Sequence, residues 1–227
     1  MSTIPIERHE LKFLARPEEL PAVISWINEN NGYFRTEYPS RRVNSLYFDS
    51  CNYECCTDNL SGVGERAKAR MRWYGEQIDQ INAKFEIKMK TAAGLGFKKI
   101  HPLEGILDFS ASTYQHTMNI IRLNVSCEDR IWLDKYPQPT LISSYKREYF
   151  TSKRENIRIT LDRDLKFYRQ HSVTTPNVNR HFSFKDIIVV EVKYPPELGY
   201  IASQIISEIP LRRTRFSKYV TGILTSD

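Results

Sequence analysis

Charged residues recur at every second position inside segments that otherwise read as strands. In ARMRWYG, Arg70 and Arg72 flank Met71, and in KFEIKMK, Glu86, Lys88 and Lys90 alternate with Ile87 and Met89. In IRITLD, Arg158, Thr160 and Asp162 alternate with Ile159 and Leu161, and in VVEVKY, Glu191 and Lys193 enclose Val192. Successive strand side chains point to opposite faces, so each segment carries one charged face and one apolar face. Two architectures accommodate this: a flat sheet with solvated charges, or a closed barrel with a polar interior and helices outside.

The rest of the chain fits an α+β domain dominated by antiparallel strands, read as a single unit over residues 1–227. ERHELKFL is a first strand, with Arg8, Glu10 and Lys12 on one face. Pro17 starts a helix through EELPAVISWINEN that Asn31 and Gly32 end. VNSLYFDS, AKARMRWYG, AKFEIKMK and FKKIHPL are further strands, joined by turns at Gly62, Gly64 and the AAGLG segment. From about Leu107 to Leu133 the spacing turns helical, giving an expected helical insertion. Strands resume in PTLISSYKREYF, NIRITLDRDLKFYR and DIIVVEVKY. A helix in LGYIASQIISEI and the segment PLRRTRFSKYVTGIL close the chain.

The charge balance limits the partners. Lys and Arg number 33 against 27 Asp and Glu, a net charge of +6, which points to concentrated basic regions and a polyanionic partner. Cys51, Cys55, Cys56 and Cys127 lack paired CxxC spacing and a nearby His cluster, so they read as packing residues. No run approaches the ~18 apolar residues of a membrane span, and the N-terminus has no apolar stretch of signal-peptide length. A cytoplasmic protein is expected. No Walker A or GxSxG motif is present.

Taken singly, each charged face describes any half-exposed strand. Together they combine Lys12, Arg70, Arg72, Lys88, Arg147, Arg158 and Lys193 with Glu10, Glu86, Asp162 and Glu191, and SYKREYF adds Tyr145 and Tyr149 beside Arg147. Closed inward, these faces make a basic tunnel containing a few carboxylates. Buried charges of that density are too costly without partners. A polyanion would satisfy the cations, because guanidinium forks match phosphate oxygens. A divalent ion would satisfy the carboxylates.

The motifs ELKF, SLYFDS, AKARMRWYG, FEIKMK, SYKREYF, RITLDRDLKF, VVEVKY and RFSKYVTG, in that order, resemble the VTC domain. This is the catalytic domain of the vacuolar transporter chaperone, which makes polyphosphate and belongs to the triphosphate tunnel metalloenzymes (CYTH-like). The resemblance runs from about residue 6 to residue 223 and is closest to the bacterial stand-alone type. It implies an eight-stranded antiparallel β-tunnel with helices packed outside. It further implies that Lys12, Arg70, Arg72, Lys88, Arg147, Arg158 and Lys218 line the tunnel as catalytic phosphate-holding residues. Glu10, Tyr145, Lys193 and Ser217 join them in substrate binding, with Lys98 or Lys99 as a further tunnel lysine. Glu191 is the implied principal ligand of Mn²⁺ or Mg²⁺, with Glu86 as a second. Many relatives in the wider superfamily open with an ExExK strand. Here the first acidic position is Arg8, which implies a single weakly held metal and a site suited to long anionic chains.

The resemblance implies a polymerase that transfers the γ-phosphate of ATP to inorganic polyphosphate. The alternatives are a metal-dependent triphosphatase in the same tunnel and a non-catalytic polyphosphate sensor. Nucleic acid is not expected as a partner, because no binding motif is present and a narrow tunnel excludes a duplex. Membrane association would come through a separate membrane protein.

Overall fold

The computed structural model describes residues 4–6, 8–77, 80–92, 96–105, 107–153, 156–170 and 174–225. The chain opens with β1 (Ile4–Ile6), β2 (His9–Ala15) and α1 (Leu20–Glu29). A long β3 (Phe34–Asp49) leads through α2 (Glu54–Leu60) to β4 (Arg66–Tyr74), β5 (Gln80–Ile81), β6 (Lys84–Lys90), β7 (Gly96–Pro102) and β8 (Leu107–Asp108). The expected helical insertion contains α3 (Tyr114–Asn124) and α4 (Ile131–Lys135). After it come β9 (Gln138–Ser152), β10 (Arg158–Arg169), β11 (Phe182–Phe184), β12 (Ile188–Tyr194), α5 (Gly199–Ser207), β13 (Arg213–Thr214) and α6 (Lys218–Leu224).

Eleven strands share one sheet, in the order β1-β7-β6-β4-β3-β9-β10-β12-β2-β13, with β11 attached to β10. Its pairings are antiparallel. Eight of these strands have seven residues or more, matching the expected tunnel count. One expectation needs correction: the ladder does not close, since β7 and β2 do not pair among the described residues. The first segment of the chain crosses this seam instead. Its start pairs with β7, Ile4 opposite Lys98, and its continuation pairs with β12, Lys12 opposite Glu191. Side chains also bridge the seam, where Lys88 Nζ of β6 lies 3.6 Å from Glu10 Oε2 of β2.

The period-two pattern decides which face is covered. Ala67, Ala69, Met71 and Trp73 of β4 are buried with Phe85 and Ile87 of β6, in one cluster with Ile121 of α3 and Leu133 of α4. A second cluster joins Phe13, Ile159, Leu161, Val190 and Val192 to Val23 and Ile27 of α1 and to Ala202 and Ile205 of α5. The indole N–H of Trp26 donates to the Ile205 carbonyl at 3.1 Å, tying α1 to α5. Apolar burial on the outer face, at roughly 25 cal/mol per Å², thus holds the charged faces inward.

The polarity of the inner face changes along β10. The register slips by one residue between Arg163 and Lys166, and Asp164 takes φ +53°, a left-handed conformation that Asp tolerates. The bulge reverses the alternation, so Arg158, Thr160 and Asp162 are followed on the same face by Leu165 and Phe167. Helix α6 packs against this apolar stretch, with Tyr219 beside Tyr47 at a ring separation of 5.0 Å. Gly222 lies so close to the sheet that a Cβ there would sit 2.4 Å from Leu141 Cδ2 and 2.7 Å from Phe167 Cδ1. Among the described residues no helix is long and apolar enough to cross a membrane. Gly222→Val is expected to destabilise the fold by about 1–3 kcal/mol through overpacking, and Gly222→Ala by less. Urea unfolding measures both, and an unchanged midpoint for the valine variant would contradict this packing.

Candidate active site

The inward faces converge on a fully buried carboxylate. Asp162 accepts from Arg147 Nε at 2.5 Å and from Arg147 Nη2 at 2.6 Å, and Lys218 Nζ of α6 lies 2.6 Å from its Oδ2. Burial opposes ionisation of Asp162, but Arg147 and Lys218 outweigh it and hold the carboxyl below its ordinary range. Glu191 forms the adjoining node. Lys193 Nζ donates to its Oε2 at 2.7 Å, and Arg147, Lys12 and Lys218 approach it at 3.4, 3.6 and 3.8 Å. These cations keep Glu191 ionised against strong desolvation. The Tyr145 ring supports the same group from beneath, 4.5 Å from Lys218 Nζ and 5.2 Å from Arg147 Cζ, as cation–π contacts require.

The opposite wall repeats the arrangement. Glu86 Oε2 accepts from Arg70 Nε at 2.8 Å and Nη2 at 2.6 Å, while Oε1 accepts from Lys98 Nζ at 2.6 Å. Arg72 stands 3.9 Å from the same carboxylate and donates through Nε to Ser45 Oγ at 3.2 Å. Glu10 links the walls, 3.3 Å from Lys12 and 3.6 Å from Lys88. Burial would raise the Glu10 pKa, yet Lys193, Lys88 and Lys12 bring it down to about 2.

Cations exceed carboxylates in this lumen. Lys68, on the same face of β4 as Arg70, lies 3.5 Å from Ser217 Oγ, and burial lowers its pKa to about 8 although Tyr47 acts the other way. Such a lysine holds its proton weakly until an anion arrives. Arg158 stands further out at the mouth, half-exposed and 4.0 Å from Glu37.

The expected residues Lys12, Arg70, Arg72, Lys88, Lys98, Arg147, Arg158, Lys193 and Lys218 therefore share one inner face, with Glu10, Glu86 and Glu191 among them. The structure adds detail at three positions. Lys99, weighed against Lys98, lies on the outer face and pairs with Asp129 at 2.6 Å. Glu86, expected as a metal ligand, has both oxygens bonded to Arg70 and Lys98 and stands among a different set of cations from Glu191. Ser217 is the N-cap of α6, its Oγ accepting from the Val220 N–H. Sequence reasoning missed Lys68 and took Asp162 only as one of four charged-face carboxylates, although both fall in the alternating pattern that identified their neighbours. The four cysteines are free thiols; Cys55 and Cys56 are buried, as packing residues would be, whereas Cys51 and Cys127 are exposed, which corrects that expectation for them.

The donor set does not by itself make a metal cage. Among the described residues no group of three or more His, Cys, Asp or Glu side chains is arranged to hold an ion. Mg²⁺-type ions nevertheless bind through one or two carboxylates together with substrate phosphates, and the Glu191–Glu10 neighbourhood fits only that manner of binding.

The model of the VTC domain matches residues 7–226. The chain belongs to the VTC-domain family. Its fold is also that of a candidate adenylate cyclase from Vibrio parahaemolyticus, with 11% identity, coverage of 96% of this chain and 98% of that one, and a TM-score of 0.51. A candidate adenylyl cyclase from Hippeastrum with dominant triphosphatase activity aligns at 13% identity over 96% and 95% of the two chains, TM-score 0.49. A Pyrococcus horikoshii OT3 protein aligns at 12% identity over 94% and 95%, TM-score 0.46. A search of curated proteins finds no match. The charged inner face described above is therefore the inner face of a VTC domain.

The Lys68 pKa gives the tunnel a pH signature. An anion stabilises the protonated lysine, so binding of a polyanion here should take up a proton near pH 8 and weaken as pH rises from 7 to 9. Calorimetry in buffers of different ionisation enthalpy measures the uptake. Lys68→Met should abolish it, and uptake persisting in that variant would place the titrating group elsewhere.

Proposed function

We propose that this VTC domain is a polyphosphate polymerase that transfers the γ-phosphoryl group of ATP to the end of an inorganic polyphosphate chain. A terminal oxygen of the chain attacks the γ-phosphorus in line, the bond to the β-bridging oxygen breaks, and ADP leaves. Such transfers depend on positioning and charge stabilisation more than on a protein nucleophile. Arg147, Lys218 and Lys12 on one wall and Arg70, Arg72 and Lys68 on the other hold the non-bridging oxygens and neutralise the charge that builds up on them. Asp162 and Glu86 keep those guanidinium and ammonium groups at fixed positions before the substrate enters.

One observation favours a phosphate acceptor over water. Each of Glu10, Glu86, Asp162 and Glu191 is ion-paired and has its pKa lowered, so none is suited to take a proton from water near neutral pH. A polyphosphate terminus is already anionic and needs no base. The family supports the same reading, since the resemblance that identifies the VTC domain carries polyphosphate synthesis with it. Mn²⁺ or Mg²⁺, arriving on the phosphates and held by Glu191 with Glu10 beside it, would supply further charge neutralisation. Delivery of product through a membrane would require a separate channel protein.

Incubation with ATP and Mn²⁺, with and without a short polyphosphate primer, tests the reaction by gel electrophoresis of the products. A ladder of chains with stoichiometric ADP is expected. Arg70→Ala and Arg147→Ala should each reduce chain synthesis by about a hundredfold or more, as loss of a preorganised charge does elsewhere. Orthophosphate without chains would replace the polymerase with a triphosphatase, and tight polyphosphate binding without turnover would leave a sensor.

A further inference from the structure

At the tunnel mouth a guanidinium is surrounded by aromatic rings. Arg41 Cζ lies 4.2 Å from the Tyr74 ring centroid, 5.0 Å from Tyr149 and 5.7 Å from Tyr38. Its Nε donates to the Tyr149 hydroxyl at 3.1 Å, and Tyr38 meets Tyr149 edge-on at 5.7 Å. Among the described residues no carboxylate pairs with Arg41. Tyr38 and Tyr74 remain 48% and 45% exposed, so large aromatic faces are open to solvent beside an unneutralised cation.

The position of this cluster gives it meaning. Arg41 is the register partner of Arg147, and Val43 the partner of both Tyr74 and Tyr145, so the cluster stands on the inner face directly outside the phosphate-holding groups. Tyr149 touches both sets, its ring 6.0 Å from Arg147 Cζ and 5.0 Å from Arg41 Cζ. Beyond it, the ends of β3 and β9 open into a polar cleft of about 500 Å³, lined in part by Arg35, Glu37, Thr151 and Asn156. A ligand holding its phosphates at Arg147 has these rings close by, through Tyr149.

We propose that Tyr38, Arg41, Tyr74 and Tyr149 form a nucleobase-stacking subsite, so that the tunnel selects a nucleoside triphosphate over a phosphate chain without a base. The proposal rests on the tunnel reading above and names the part of the substrate that reading leaves outside the lumen. A planar base stacks on tyrosine faces and on a guanidinium plane alike. Because every base offers a π-face, the subsite discriminates poorly among bases, and ATP and GTP should bind within a few-fold of each other.

The experiment is calorimetric titration of the full chain with two probes, the β,γ-imido analogue of ATP and methyl triphosphate, which carries an esterified triphosphate without a base. The imido analogue is expected to bind about tenfold tighter, within the usual range for one base stack. In a Tyr38→Leu, Tyr74→Leu variant the two affinities should converge, with methyl triphosphate unchanged, while Tyr74→Trp should retain the difference. Both tyrosines are half-exposed, so the leucine variant keeps its core. Equal binding of the two probes by the wild type, or a parallel fall of both in the leucine variant, overturns the subsite. Arg70→Ala separates the two readings, because it should weaken both probes equally. If it changes neither, the tunnel reading falls, and with it the reason to place a triphosphate beside these rings.

Discussion

The ion-paired cluster around Asp162 is the interaction on which the rest of the structure depends. An isolated buried carboxylate is too costly to remain charged, and so is an isolated buried guanidinium. Arg147, arriving from β9, and Lys218, arriving from α6, satisfy Asp162 on β10 and stand beside Glu191 on β12. Four elements must therefore assemble together or leave charges stranded. Replacing such a cluster with apolar side chains often stabilises a fold, so stability alone is weak grounds for its presence. Its evident product is a set of cations held at fixed positions on one face of the sheet.

The sheet turns this local arrangement into a tunnel by keeping two chemistries on one face. Up to Asp162 the inner face of β10 is charged or polar, and past the bulge at Asp164 it is apolar. The change lets α6 seat Tyr219, Val220 and Ile223 against the sheet while presenting Lys218 to the charged zone. The helix is thus both part of the core and a contributor of an ammonium group to the charged face, and its close approach at Gly222 sets how far that ammonium reaches.

Much of this was legible in the sequence because alternation has only two phases. Once Arg70, Glu86, Arg147 and Glu191 were assigned to a charged face, the tunnel followed, and the ordered motifs identified the VTC family. What escaped had specific causes. The first half of β3, through Phe34, Pro39 and Arg42, mixes charges with a proline and hides its period. The bulge at Asp164 is a single-residue shift of register with no distinctive composition. The choice between Lys98 and Lys99 depends on which phase β7 takes, and adjacent lysines carry no phase information. Asp162 appeared as one charge among several, because only the three-dimensional arrangement makes it the hub. The aromatic ring around Arg41 joins β3, β4 and β9 and has no contiguous signature.

The segment that spans the seam of the sheet bears on the order in which the protein is made. β1 and β2 leave the ribosome well before their partners, which are β7, β12 and β13, and β13 ends at Thr214. At roughly 5–20 residues per second, the first strand waits on the order of ten to thirty seconds for its last neighbour to be synthesised. During that time its apolar face, with Leu11 and Phe13, has no sheet to join, and such long-range pairing folds slowly. The alternating charges on Glu10 and Lys12 keep that waiting strand from offering two greasy faces to other nascent chains. The same side chains that later join the buried charge network therefore serve first as solubilising groups during translation.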